Sequence, residues 1–458
     1  MAAGDFFVFL CYNEFAILFL SFMFKSDVGV KMSAVQVSPG NVFGQVAAPP
    51  SKSAAHRALI AAGLGVLQNP AAVCRVDGIL SSLDMRATQN GLAALGISAA
   101  LRGKTAVLQA GQKPEPVRVD CMESGSTLRF MIPIFSALGI GAVFSGRALL
   151  PERPLEVYSD VIPRFTRLSG GGSICSISGK LPAGIYALPG NISSQYVTGL
   201  LLALPLCDGD SRLVLTSPLE SAGYVDLTLD ILKQAGIRVN PCDGGWEIPG
   251  NQVYKTIDFT VEGDWSQAAF LLAAGALTGD VSVSGLNFHS SQGDKQIFEL
   301  LRQFGAEINW QGDVVRCQKS ILRGIDIDAS QIPDLVPVLS ILAAAAAGKT
   351  RIYNAGRLRL KECDRLAAIA ECLRSLHIPV EETADSLTIT GAAGKPFRGD
   401  TILKSHNDHR MVMSMAVAAL AADAPFTIED PQAVDKSWPG FFDEMAALGM
   451  KSERRDVP

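Results

Sequence analysis

Basic charge never gathers in this sequence: 40 Lys and Arg stand against 45 Asp and Glu, for a net charge of −5. With cations spaced singly rather than in blocks, no global basic field exists to recruit nucleic acid, and small anionic ligands fit better. Nine cysteines include no C-x-x-C pair, and the odd count and wide spacing fit a reduced cytosolic chain. No metal-ligand cluster is visible among the five histidines. What is present is bulk. With 458 residues, 48% of them hydrophobic, the chain suits two or three domains with real cores.

Residues 1–31 stand apart. Phe6 to Phe24 is strongly apolar and raises the possibility of an anchor or signal segment. Asn13 and Glu14 interrupt it, no cation precedes it, and Met32 opens an ordinary start, MSAVQVSPG. The expectation is an N-terminal extension (1–31) outside the fold.

The rest is periodic. Six stretches share one layout, in which polar or charged residues enter a long Ala/Leu-rich run. They begin at Ser51, Ser124, Ser193, Gly263, Ile332 and His406, 69–74 residues apart, which marks an internal repeat. Runs that are apolar nearly all round predict buried helices. Short alternating segments between them, such as Thr105–Gln109, Arg212–Thr216, Val281–Val283 and Ser386–Ile389, predict strands. The spacing suggests two bodies of three units, with helices inside, sheets outside and polar helix mouths converging on one cleft.

Those mouths hold the chemistry. Lys52, Ser53 and Arg57 stand at a helix start capped by Ser51 or Ser53, where free backbone N–H groups and the dipole attract anions. Ser124, Gly125, Ser126 and Arg129 repeat the pattern, as do Ser193, Ser194 and Gln195. Arg153 lies between Glu152 and Pro154. Ser221 and Tyr224 either serve the same pocket or cap the next helix. Asp264 or Ser266 reads as a cap and Trp265 as packing. Asp334 opens an apolar helix, either as a cap or as a desolvated acid suited to proton transfer. In RLRLKECDR, Arg359 and Lys361 share a face if extended, followed by Glu362, Asp364 and Arg365. His406, Asp408, His409 and Arg410 crowd the sixth mouth without the carboxylate-rich companions of a typical metal site. Lys436 adds a last cation.

PSKSAAHRAL, SGSTLRF, PERP, NISSQYVTGLL, IPDLVP, RLRLKECDRLAAIA, HNDHRMVM and DKSWPGFF, in this order over about residues 35–450, resemble the motifs of the 5-enolpyruvylshikimate-3-phosphate synthases (3-phosphoshikimate 1-carboxyvinyltransferases). The resemblance implies enolpyruvyl transfer from phosphoenolpyruvate to the 5-hydroxyl of shikimate 3-phosphate, through a tetrahedral intermediate, with no metal and no organic cofactor. It implies an α/β fold, a two-domain inside-out α/β barrel of three similar βαβαββ-type units per domain with buried helices and outer sheets. The expected boundaries are a lead-in strand at 32–50 belonging to the second domain, a first domain at 51–260, a second at 261–450 and a tail at 451–458. By motif match, Lys52, Ser53, Arg57, Ser193, Ser194, Gln195, Ser221, Tyr224, Asp334, Asn354 and Lys361 are expected to hold shikimate 3-phosphate. Lys52, Gly125, Arg153, Gln195, Arg365, Arg410 and Lys436 are expected to hold phosphoenolpyruvate. Asp334, with Lys361, is the expected base at the hydroxyl, and Glu362 and Lys52 are the candidates for proton transfer at the enolpyruvyl carbon. A cytoplasmic monomer with no nucleic-acid or membrane partner is expected.

The sequence departs from the family pattern at three places. Met122–Glu123 stands where Gly-Asn or Gly-Glu is usual, putting a carboxylate near the phosphoenolpyruvate side. Cys363 replaces a commoner Ser or Thr, and the N-terminal extension has no counterpart. The rival readings are an enolpyruvyl transferase for another acceptor, a non-catalytic anion-binding paralogue and a membrane-tethered protein.

Overall fold

The computed structural model describes residues 32–457. The expectation for residues 1–31 lies outside the described residues. Among those described, no helix is long and apolar enough to cross a membrane.

The six apolar runs fold as α1 (Lys52–Gln68), α2 (Gly125–Ala137), α3 (Ser194–Ala203), α4 (Trp265–Thr278), α5 (Val336–Ala345) and α6 (His409–Leu420). Five of the six begin at a side-chain cap. Ser51, Ser124, Ser193, Asp264 and Asp408 each accept a hydrogen bond from a first-turn N–H, satisfying donors that a helix start leaves free. In α4 and α6 every residue is buried, so these helices are held by packing on all sides rather than by an amphipathic stripe. Helix α2 packs on α3, and α6 packs on both α4 and α5.

The described residues also form six four-stranded sheets with one repeated order. In the third unit, Ile185–Leu188 runs parallel to Ser211–Leu215. That strand is antiparallel to Gly245–Ile248, which pairs in turn with Asn240–Cys242. Helix α3 makes the parallel crossover, which two parallel neighbours require. The result is a mixed α/β fold of many small sheets and buried helices.

Three sheets borrow strands from far along the chain. Phe259–Thr260 completes the first unit beside Cys74–Asp77. Strand β2 (Phe43–Ala47) lies parallel to Asp280–Ser284 in the fourth. Strand β1 (Met32–Val37) sits in the sixth, antiparallel to Phe426–Glu429 on one side and to Ser452–Val457 on the other. Residues 452–457 are therefore a sheet strand where a tail was expected. Their backbone pairs with β1 from Met32↔Val457 to Val37↔Ser452.

Two separate cores result. One is built from side chains between Ala54 and Phe259, the other from Val35–Val42 together with Trp265–Met450. The chain passes between these bodies twice, through residues 48–51 and 261–264, and the passes touch. Pro50 and Gly263 form an antiparallel bridge, Ser51 N donates to Glu262 O and Asp264 N donates to Pro49 O, both at 2.8 Å. Gly263 is required here because an added Cβ would lie 2.4 Å from Gly285 O.

Candidate active site

Five of the six helix mouths, those of α1, α2, α3, α5 and α6, open into one cleft, and the α4 mouth at residues 263–267 does not line it. Its lining contains Lys52, Ser53, Arg57, Gly125, Arg153, Ser193, Ser194, Gln195, Ser221, Tyr224, Asp334, Lys361, Glu362, Arg365 and Arg410. Of the expected site residues, Asn354 and Lys436 are the two outside that lining. Asn354 is exposed and donates to Asp328 Oδ1 at 3.1 Å.

The wall from the first body is made of donors with neutral partners. Gln195 takes a hydrogen bond from Arg129 Nη1 (2.7 Å) and donates to Ser126 Oγ (2.9 Å). Arg57, buried at 3% exposure, is held by Ser53 O, Tyr224 O, Thr198 and Thr228 and lies over the Phe130 ring. Gly125 leaves a cradle at the α2 mouth: a Cβ there would come within 2.7 Å of Arg153 Nη1 and 2.9 Å of Arg129 Nη1. Lys52 and Arg153 differ: Lys52 pairs with Asp84 at 2.7 Å, and Arg153 faces a carboxylate of the other body.

The wall from the second body is a network of paired charges. The buried Arg365 guanidinium grips Asp408 Oδ2 (2.7 Å), Asp334 Oδ1 (2.9 Å) and Glu362 Oε2 (2.6 Å) at once. Lys361 Nζ lies 3.3 Å from Asp334 Oδ1, and Arg410 Nη2 lies 3.5 Å from Asp334 Oδ2. Burial pushes the Asp334 carboxyl up, but Arg410, Lys361 and Arg365 together outweigh it and hold it well below the usual carboxylate range. Burial likewise opposes ionisation of Glu362, yet the charges of Arg365, Arg153 and Lys361 keep it well below that range. His409 lines the cleft neutral, because burial and the Lys52 charge drive its pKa well down. Burial also pushes the Cys363 thiol up, beside Asp408, so it stays a protonated thiol.

Contacts between the bodies ring the cleft. Arg153 faces Glu362 at 3.4 Å, Tyr224 donates to Asp334 Oδ2 at 2.9 Å, and Arg357 pairs with Glu220. The flagged Glu123 forms another: its Oε2 lies 2.6 Å from Lys436 Nζ, which also donates to Asn407 O. The Glu123 carboxylate thus occupies the cation that the motif assigns to phosphoenolpyruvate.

Three local expectations change. Asp334 makes no cap hydrogen bond, since Pro333–Leu335 is a 3₁₀ turn ahead of α5. Ser221 caps nothing with its side chain and instead accepts from Arg357 Nη2 at 3.1 Å. Gly356–Leu360 is a 3₁₀ turn rather than an extended segment. Arg359 therefore parts from Lys361 and binds Asp364, Glu382 and the Thr383 and Ala384 carbonyls. Sequence reasoning left Arg129, Arg357 and Asp84 unassigned, though all three line the cleft. The position of Arg129, one helical turn after Gly125, was the available signal.

Comparison with known proteins follows the same outline. Residues 37–445 match the family model for EPSP synthase (3-phosphoshikimate 1-carboxyvinyltransferase). The 3-phosphoshikimate 1-carboxyvinyltransferase of Clostridium acetobutylicum is 41% identical over 428 residues, and that of Clostridium beijerinckii 39% over 434. Each alignment covers 91% of this chain and 98% of the relative. A solved EPSP synthase from Acinetobacter baumannii superposes with a TM-score of 0.76 at 26% identity, over 92% of this chain and 100% of that one. The enolpyruvyl transferase NikO from Streptomyces tendae shares the fold, with a TM-score of 0.76 at 19% identity over 93% of this chain and 100% of that one.

Proposed function

The chain belongs to the EPSP synthase family, and on that premise we propose that it transfers the enolpyruvyl group of phosphoenolpyruvate to the 5-hydroxyl of shikimate 3-phosphate, releasing phosphate. One observation carries this reading to the residues. Arg129 and Arg153 from one body and Lys361, Arg365 and Arg410 from the other surround a single cleft with Asp334 and Glu362 between them. Two substrates, each with a phosphate and a carboxylate, need that much fixed positive charge, and guanidinium forks suit their oxygens.

Shikimate 3-phosphate lies against Ser53, Arg57, Ser193, Ser194, Gln195, Ser221 and Tyr224, with Asn354 at the outer edge. Phosphoenolpyruvate lies against Lys52, Gly125, Arg153, Arg365 and Arg410, with Lys436 reached once it parts from Glu123. Asp334 is the base at the 5-hydroxyl. An acid held this far below its ordinary range is a weak base, but incoming phosphates and carboxylates offset Arg365, Arg410 and Lys361 and raise its proton affinity. Glu362 and Lys52 move the proton at the methylene carbon. The bodies form an inside-out α/β barrel, and closure about the two passes at Pro50 and Gly263 excludes water from the reaction. The enzyme is a cytoplasmic monomer that needs no cofactor.

The test is phosphate release with both substrates, repeated with UDP-N-acetylglucosamine in place of shikimate 3-phosphate. Release with shikimate 3-phosphate alone is expected. Release only with the other acceptor, or binding without release, would sink the assignment.

A further inference from the structure

Asp294 sits just behind the cleft wall, in the turn Gly293–Gln296, and is 3% exposed. Its Oδ2 lies 3.2 Å from the Tyr224 hydroxyl, whose oxygen is also 2.9 Å from Asp334 Oδ2. Two carboxylates therefore share one hydroxyl, which has a single proton to give. Their surroundings differ sharply. Asp334 faces Arg365, Arg410 and Lys361, whereas Asp294 has no ion-pair partner among the described residues, and its Oδ1 has no hydrogen-bond partner there. The groups facing Asp294 are Tyr224 from the first body, Asp334 from the turn before α5, Arg410 from α6, and Asp264 with Ser266 at the start of α4. The loop is fixed. Gln292 donates to Gly263 O (2.8 Å) and Glu262 Oε1 (2.7 Å) and accepts from Trp265 N (3.0 Å).

We propose that Asp294 is a positioning residue for proton transfer, accepting through Tyr224 the proton that Asp334 removes from the substrate hydroxyl. The proposal rests on the base role given to Asp334 above. As the 5-oxygen bonds to C2 of phosphoenolpyruvate, its O–H bond breaks and the proton goes to Asp334. Asp334 passes it to the Tyr224 oxygen while the Tyr224 O–H proton passes to Asp294 Oδ2. Tyrosine ends neutral, Asp334 ends ionised, and Asp294 holds the proton. In the elimination half the path runs backwards and the proton leaves with the phosphate. The direction follows from the charges. Burial and the neighbouring Asp334 raise the Asp294 carboxyl to about 6, whereas Asp334, even while its cations are shared with the substrates, keeps Arg365, Arg410 and Lys361 beside it. Burial pushes the tyrosine well above its ordinary pKa, so the hydroxyl relays without ionising.

The test is steady-state kinetics of Asp294→Asn from pH 5 to 8. A kcat loss of about 100-fold is expected, at the lower edge of what a proton-transfer partner contributes. Both KM values should stay within about twofold, because Asp294 lies outside the cleft lining. The acidic limb of kcat/KM near pH 6 should vanish. Adding Asp294→Asn to Tyr224→Phe should cost nothing more, since the path is already cut, whereas a packing role would add. Should Asp294→Asn fail to fold, Asp294→Ser removes the acid and leaves a hydroxyl. Wild-type kcat and an intact acidic limb in the folded variant would overturn the relay. Asp334→Asn separates the two readings. Full turnover there removes the base itself, whereas loss there with full turnover in Asp294→Asn removes only the relay.

Discussion

The two walls of the cleft satisfy their polar groups in different ways. On the first body, Ser126, Gln195, Arg129 and Arg57 are bonded to hydroxyls, amides and carbonyls. On the second, Arg365, Arg410 and Lys361 are each committed to carboxylates. A wall of neutral partners can accept an anion without losing an ion pair. A wall of paired charges must share its cations with the ligand, and that sharing changes the proton affinity of its acids. Binding of shikimate 3-phosphate is thus expected to depend mainly on the first wall, and proton transfer mainly on the second.

Glu362→Gln attacks the contrast most directly: kcat should fall by about 10³-fold with KM for both substrates little changed, within the range removal of a general acid or base produces. A rise in KM with kcat intact would place binding on the second wall instead. Arg365→Ala comes next. It leaves Asp334, Glu362 and Asp408 without their shared cation, and stability should drop by about 3–5 kcal/mol in chemical denaturation. A loss below about 1 kcal/mol would mean that the network is not a single unit.

Acid titration reads the same wall. Cations hold the folded carboxyls of Asp334, Glu362 and Asp408 below their ordinary values against the opposing effect of burial. Their stabilisation is fully present above about pH 4 and is lost as pH falls through the folded values. Burial raises Asp264 and Asp294, which act with the opposite sign. Their favourable protonation is complete below about pH 4 and is lost as pH rises, through about 6 for Asp294. Denaturation midpoints across pH 3–7 should therefore fall steeply below pH 4, and less steeply in Arg365→Ala.

Smaller effects sharpen the first wall. Ser193→Ala removes the cap of α3 and one cleft hydroxyl, so about 1 kcal/mol of stability should go, with a raised KM for shikimate 3-phosphate at near-normal kcat. Glu123→Gln is the mildest. It frees Lys436 from a partly buried pair, and KM for phosphoenolpyruvate should drop by up to about fivefold. A raised KM would show instead that Glu123 orients Lys436 for the ligand.

How legible all this was depended on distance along the chain. The helix mouths were readable because their polar residues stand within a few positions of a long apolar run, with cap and cations together in the clearest case, Ser51–Arg57. The local geometry of Arg359 was not, since alternation with leucine fits an extended segment as well as the 3₁₀ turn that forms. Asp294 gave no signal at all. Its Gly-Asp-Lys turn looks like any exposed loop until Tyr224, 70 residues away, arrives beside it. The pairing of β1 with Ser452–Val457 was equally hidden, because a strand's partner is not written in its own alternation.

That last pairing bears on how the molecule is made. Ribosomes deliver residues 51–260 as an uninterrupted block, so the first body can condense while its neighbour is still being translated. Both partners of β1 lie beyond residue 425. At about 5–20 residues per second, β1 waits tens of seconds for them. Stopping synthesis ten residues early would leave β1 a bare sheet edge, inviting contact with another nascent chain.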